Sequence, residues 1–185
     1  MASVFDVPGT DLVHETAREL KQKGAKKPSW TEFVKTGVSR ERAPQEEDWY
    51  YVRMASILRR IYIDGPQGVQ SLRTYYGGRK NRGVRPHKVY KASGKIVRSC
   101  LQELDLLGFT KKEKKGRTIT PKGTSFLNKV SKELAKKLKE QPKKERKKAY
   151  RLSFKEEKTA EPKAAEAKKG KKDERGRADK GAKAK

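Results

Sequence analysis

The run SGKIVRSCLQELDLLGFTKKEKKGRTITP, residues 93–121, changes periodicity twice, and the rest of the chain can be read outward from it. From Ser93, a capping residue, to Leu107, the apolar positions Ile96, Val97, Cys100, Leu101, Leu104 and Leu107 recur at helical spacing, and Gly108 ends the pattern. Two short runs follow, Phe109–Lys112 and Arg117–Thr120, which alternate like strands around Lys115-Gly116. They predict a hairpin with Phe109 and Ile119 turned inward and a lysine-rich tip. Thr120-Pro121 then offers an N-cap and a first-turn proline for a last helix carrying Phe126, Leu127, Val130, Leu134 and Leu138, with Gly123 weakening its first turn.

Upstream, Leu12, Val13, Ala17 and Leu20 predict a first helix, with Gly24 placed to terminate it. In Pro28-Ser29-Trp30-Thr31-Glu32 the spacing of Ser29 and Glu32 is that of a capping box, so a short second helix to Gly37 is expected to bury Trp30, Phe33 and Val34. Glu46–Ile63 is the strongest helical pattern, with Tyr51, Met54, Ala55, Leu58, Ile61 and Tyr62 on one face. Pro66–Tyr76 reads as a further short helix around Val69 and Leu72, ended by Gly77-Gly78. The order helix, helix, helix, basic hairpin, helix is that of a winged helix, with the Ser93 helix in the recognition position and two extra helices in front. The expected fold class is therefore mainly α: a winged-helix domain made of a helical bundle and a small β-hairpin wing, with two extra N-terminal helices.

Composition says what such a body would bind. The 185 residues hold 49 Lys and Arg against 23 Asp and Glu, a formal net charge of +26. A surplus of that size calls for a polyanion, and nucleic acid is the ordinary one, because each neutralised phosphate releases a counterion. The start, Met1–Pro8, has no basic segment leading into an apolar core, and no apolar run approaches a membrane span, so neither a leader nor a membrane partner is expected. One cysteine, Cys100, and two histidines, His14 and His87, do not make a zinc site or an internal disulfide framework. Residues 141–185 carry 18 Lys and Arg, 8 Asp and Glu, and only Tyr150 and Phe154 as aromatics. Such a segment buries too little apolar surface to offset its ordering entropy. The expected division is thus a folded body, 1–140, and a basic tail, 141–185, disordered in isolation.

Within the body the cations are patterned. On the long helix Trp49, Arg53, Ser56 and Arg60 form a stripe opposite the apolar face, flanked by Arg59, and read as a phosphate-contacting surface. The run Tyr75–Lys88 interleaves rings, glycines and cations in what reads as a long loop. Its Arg79, Lys80, Arg82, Arg85, His87 and Lys88 suit contacts to phosphates and unpaired bases. Lys95 and Arg98, sharing a helix face with Gln102, complete the candidate set. Cys100 lies on an apolar face and reads as an inert core thiol; Asp64 and Asp105 read as structural. No catalytic constellation and no cofactor motif stand out, so neither catalysis, a cofactor nor a small-molecule substrate is expected.

Four segments together resemble one family closely: Ala43-Pro44 through Asp48-Trp49-Tyr50-Tyr51-Val52-Arg53-Met54-Ala55-Ser56; Gly65 to Gly68-Val69; Tyr76-Gly77-Gly78-Arg79-Lys80-Asn81-Arg82-Gly83; and Gly116-Arg117 to Thr120-Pro121-Lys122-Gly123. The family is the small-subunit ribosomal protein eS-nineteen of archaea and eukaryotes, and the resemblance spans roughly residues 4–138. Details at Tyr62–Pro66 look archaeal. The resemblance implies a winged-helix-type protein of the small-subunit head that binds rRNA beside neighbouring ribosomal proteins in the cytoplasm, supports subunit maturation and translation, and performs no catalysis. By motif it implies rRNA-facing roles for Arg53, Arg59, Arg79, Lys80, Arg82 and Arg98, while Ser99 stands where the family commonly has a second arginine. The rival from another class is a winged-helix DNA-binding transcription regulator, with Lys95, Arg98 and Gln102 reading bases.

Overall fold

The computed structural model describes residues 3–140; the expectation for the 141–185 tail lies outside the described residues. Residues 3–136 belong to one compact unit, and residues 137–140 are described only as the last turn of the final helix. The fold is mostly helical, with two small antiparallel sheets. In chain order it comprises α1 (Gly9–Gln22), a 3₁₀ turn (Ser29–Glu32), α2 (Trp49–Asp64), α3 (Val69–Tyr75), β1 (Gly78–Arg82), β2 (Arg85–Tyr90), α4 (Gly94–Leu106), β3 (Thr110–Glu113), β4 (Gly116–Ile119) and α5 (Pro121–Glu140).

The helices end where the glycines stand. Gly24 takes a φ of 78°, and the amides of Gly24 and Ala25 return to the carbonyls of Lys21 and Leu20. Gly108, at φ 74°, repeats the arrangement for α4 through Asp105 and Leu104. Both satisfy carbonyls that a helix end would otherwise leave bare, in a conformation that costs glycine little. At the start of α5, Thr120 Oγ1 accepts a hydrogen bond from the Gly123 amide at 3.2 Å, as its capping position requires.

The core forms where α1 packs on α2 and where α2 and α3 pack on α4. Leu12 and Leu20 of α1, Met54, Ile57, Leu58 and Ile61 of α2, Leu72 of α3, and Leu101 and Leu104 of α4 are all fully buried. Tyr50 and Ile57 are also fully inside, so the buried face of α2 is wider than the expected stripe. The hairpin β3–β4 pairs Thr110 with Ile119 and Glu113 with Gly116 across a two-residue Lys114-Lys115 turn. It is fastened twice. Gln67 and Arg117 exchange both backbone bonds at 3.0 Å, and Arg117 Nε donates to Asp105 Oδ2 at 2.9 Å, confirming the structural reading of Asp105.

Three expectations are corrected. The second helix is only the four-residue 3₁₀ turn, so a single α-helix precedes α2. No side-chain cap forms there: Thr31 is the buried residue, its hydroxyl donating to the Pro28 carbonyl, while Phe33 is 86% exposed. The chain beyond it is instead drawn into extended pairing, Gly37 bridging Ala92 and the Ser93 amide bonding Thr36 O. Tertiary backbone pairing there overrides a weak local preference. The long helix begins at Trp49 rather than Glu46. The basic glycine-rich segment is not a loop but the antiparallel ribbon β1–β2, turned at Gly83 with Asn81 Oδ1 accepting from the Gly83 amide at 3.0 Å.

Candidate nucleic-acid interface

The outer face of α2 carries its cations on aromatic supports. The Arg53 guanidinium lies 4.0 Å from the centroid of the Tyr76 ring, and Tyr76 Oη is itself held by Ser56 Oγ at 2.8 Å. Burial pulls Arg53 below the usual arginine range, without threatening its charge at neutral pH. Two turns on, Arg60 stacks 4.2 Å from the Tyr75 centroid and also pairs with Asp64. Tyr75 and Tyr76 meet edge to face at 4.9 Å. The expected stripe of free cations is thus a set of ordered guanidiniums, and Arg60, neutralised in part by Asp64, is the least available for phosphate. Such stacking fixes an arginine fork before a ligand arrives and lowers the entropy lost on binding.

Arg59 points elsewhere. It lies against Gly9 at the start of α1, so close that a Cβ on Gly9 would stand 2.8 Å from its Nη2. Its Nε is buried without a hydrogen-bond partner. Trp49, Arg53, Ser56 and Arg59 line one open groove of about 790 Å³, together with Tyr75, Tyr76, Arg40 and His14. The sequence grouped the tyrosines with the ring-and-cation run but did not put them in the candidate set; the signal was their position, immediately before Gly77-Gly78 and three or four residues before Arg79.

From Gly78 the chain leads into the ribbon. Arg79, Arg82, Arg85, His87 and Lys88 are exposed, and Lys80 is half-buried with its ammonium 5.8 Å from the Tyr90 centroid. Register places Lys80 opposite Lys88, and Arg79 opposite Val89. A two-stranded ribbon with cations on both faces, and Val84 and Val89 fully or largely exposed, has no core of its own to protect. On α4, Lys95 and Arg98 are exposed, Lys95 lying 5.1 Å from the Trp30 ring centroid; neither lines the α2 groove. The β3–β4 hairpin lysines Lys111, Lys112, Lys114 and Lys115 are all exposed.

Other chemistry is thinly represented. Cys100 is fully buried, and desolvation pushes its thiol up to about 12, so it is not a nucleophile. Among the described residues no cluster of His, Cys, Asp and Glu is arranged to hold a metal, and no helix is long and apolar enough to cross a membrane.

The family model for ribosomal protein S19e matches residues 3–137. Small ribosomal subunit protein eS19 of Aeropyrum pernix is 43% identical over 142 residues, covering 75% of this chain and 93% of that protein. The eS19 protein of Thermoplasma volcanium is 42% identical over 139 residues, with the same coverages. That of the clam Mya arenaria is 42% identical over 135 residues, covering 72% of this chain and 91% of its own. With the match spanning the body from before α1 into α5, the chain belongs to the ribosomal protein S19e family.

Proposed function

We propose that this chain is a structural, non-catalytic constituent of the small ribosomal subunit, bound to small-subunit rRNA in the subunit head, where it supports assembly and translation in the cytoplasm. The observation that carries the reading is the Arg53–Tyr76 stack on α2, from which the chain leads through Gly77 directly into the cation-bearing β1–β2 ribbon. In this reading Trp49, Arg53, Ser56 and Arg59, with a lesser share from Arg60, take one stretch of RNA. Arg79, Lys80, Arg82, Arg85, His87 and Lys88 take a second from the ribbon, and Lys95 and Arg98 flank them from α4. Phosphate contacts of this kind position a protein on folded RNA without reading a duplex sequence.

The body is best read as a winged helix in which α2, α3 and α4 form the three-helix unit and β3–β4 the wing. The Gln67–Arg117 bridge supports this, since it supplies the short strand between the first two helices that pairs with the hairpin. A body of residues 1–140 then carries a basic tail, 141–185, suited to neighbouring rRNA or ribosomal proteins.

The test is sedimentation. The protein is expected to remain with small subunits through a high-salt wash that strips loosely bound factors. Recovery as free protein on duplex DNA fragments would overturn the proposal in favour of a DNA-binding regulator.

A further inference from the structure

Arg59 is the one cation on α2 whose setting is unexplained by packing. Arg53 and Arg60 are stacked on rings, and Arg60 is also paired with Asp64, whereas Arg59 keeps a buried, unpartnered Nε and rests on the bare backbone of Gly9. Leaving a buried donor unpaired costs stability, so the packing of the protein alone does not account for the position of this guanidinium. The groove it enters offers three further features: the half-buried indole of Trp49, the Arg53 guanidinium over Tyr76, and the 54% exposed ring of Tyr75. Its volume, about 790 Å³, falls within the roughly 300–1,000 Å³ of sites that enclose a small ligand.

We infer that this groove receives a single unpaired nucleotide extruded from an otherwise helical RNA. The base enters between Trp49 and the Arg53–Tyr76 stack, and Arg59 donates to its sugar-phosphate. A paired base could not enter, because its edges and faces are engaged in the duplex. Unstacked nucleotides are what aromatic rings and guanidinium planes recognise in RNA. Gly9 is a positioning residue. Any Cβ there displaces the far end of the Arg59 side chain, which can swing away without disturbing the core, so the substitution disarms Arg59 while leaving the fold and the net charge untouched. The inference rests on the proposed RNA-binding role and specifies what that surface selects.

The experiment uses the full chain and two synthetic RNA hairpins of equal length, one fully paired and one carrying a single bulged 2-aminopurine. The bulged hairpin is expected to bind about tenfold more tightly, with a change in 2-aminopurine fluorescence on binding. Trp49→Ala and Arg59→Ala should each bring the two affinities close together. Gly9→Ala should do the same, although its thermal unfolding midpoint is unchanged or raised, and Gly9→Ala with Arg59→Ala should be no worse than Arg59→Ala alone. Equal affinities of the intact protein for the two hairpins would overturn the nucleotide pocket and leave the rRNA-binding role standing. Binding to neither hairpin would overturn both.

Discussion

Arg53 is a cation whose position is set by the ring beneath it. Its guanidinium covers Tyr76, whose hydroxyl is tied back to Ser56, so the cation is ordered before RNA is present. Arg53→Ala is expected to weaken binding to small-subunit rRNA by about 1–3 kcal/mol, the scale of a charge-assisted hydrogen bond to a desolvated phosphate. A filter-binding titration measures this, and a change within error would leave Arg53 as a cover for Tyr76 alone. Cys100 and Tyr50 make the opposite case, being buried groups whose neutral forms the core requires. Burial raises the Cys100 pKa from its ordinary value of 9.0 to about 12 and moves Tyr50 in the same direction. A group that binds its proton more tightly when folded stabilises the fold fully below its unfolded pKa and loses that contribution as pH climbs toward the folded one. The urea midpoint should therefore hold up to pH 9 and fall between about pH 9 and 12. In Cys100→Ala the decline over that window should be shallower, leaving the Tyr50 part.

At the level of elements, the hairpin and the last helix meet through a glycine that the sequence shows only as a weak point in a helix. A Cβ at Gly123 would stand 2.5 Å from the Phe109 carbonyl and 2.9 Å from Ile119 Cγ1, so the first turn of α5 can lie against the base of the β3–β4 hairpin only without a side chain. Alanine is the better helix former by roughly 0.5–1 kcal/mol. Gly123→Ala is nonetheless expected to destabilise the protein by about 1–3 kcal/mol through overpacking. Chemical denaturation decides the sign, and stabilisation would mean that the β3–β4 hairpin slides freely along α5. The β1–β2 ribbon escaped the sequence reading for a related reason. Strands are legible when one face is buried and apolar residues alternate; here positions 79 and 81–89 are all exposed, so the polar residues fall on both faces and the period of two is absent. The 3₁₀ turn at Ser29–Glu32 escaped it because the bridge from Gly37 to Ala92, 55 residues away in the chain, decides the path there.

For the whole molecule the governing quantity is charge. Residues 141–185 contribute a net +10 of the total +26, and each phosphate neutralised on a duplex steepens the dependence of log K on log salt by about 0.9. Removing residues 141–185 should flatten the salt slope of rRNA binding while leaving the body's thermal transition in place; an unchanged slope would mean that the tail touches no RNA. What the sequence determined by itself was what depends on local periodicity and on sums: five of the helical segments, the glycine stops of α1, α3 and α4, the β3–β4 hairpin, the basic composition that calls for a polyanion, and the family. These properties follow from residues within a turn or two of one another, or from composition. Only the tertiary structure decided that the basic loop is a ribbon, that Tyr75 and Tyr76 support the α2 arginines, and that Arg59 sits unpaired on Gly9 while Arg60 is held by Asp64. An unbroken helix stripe shows which cations share a face, whereas their availability depends on neighbours brought from α1 and α3, and those contacts have no periodicity to betray them.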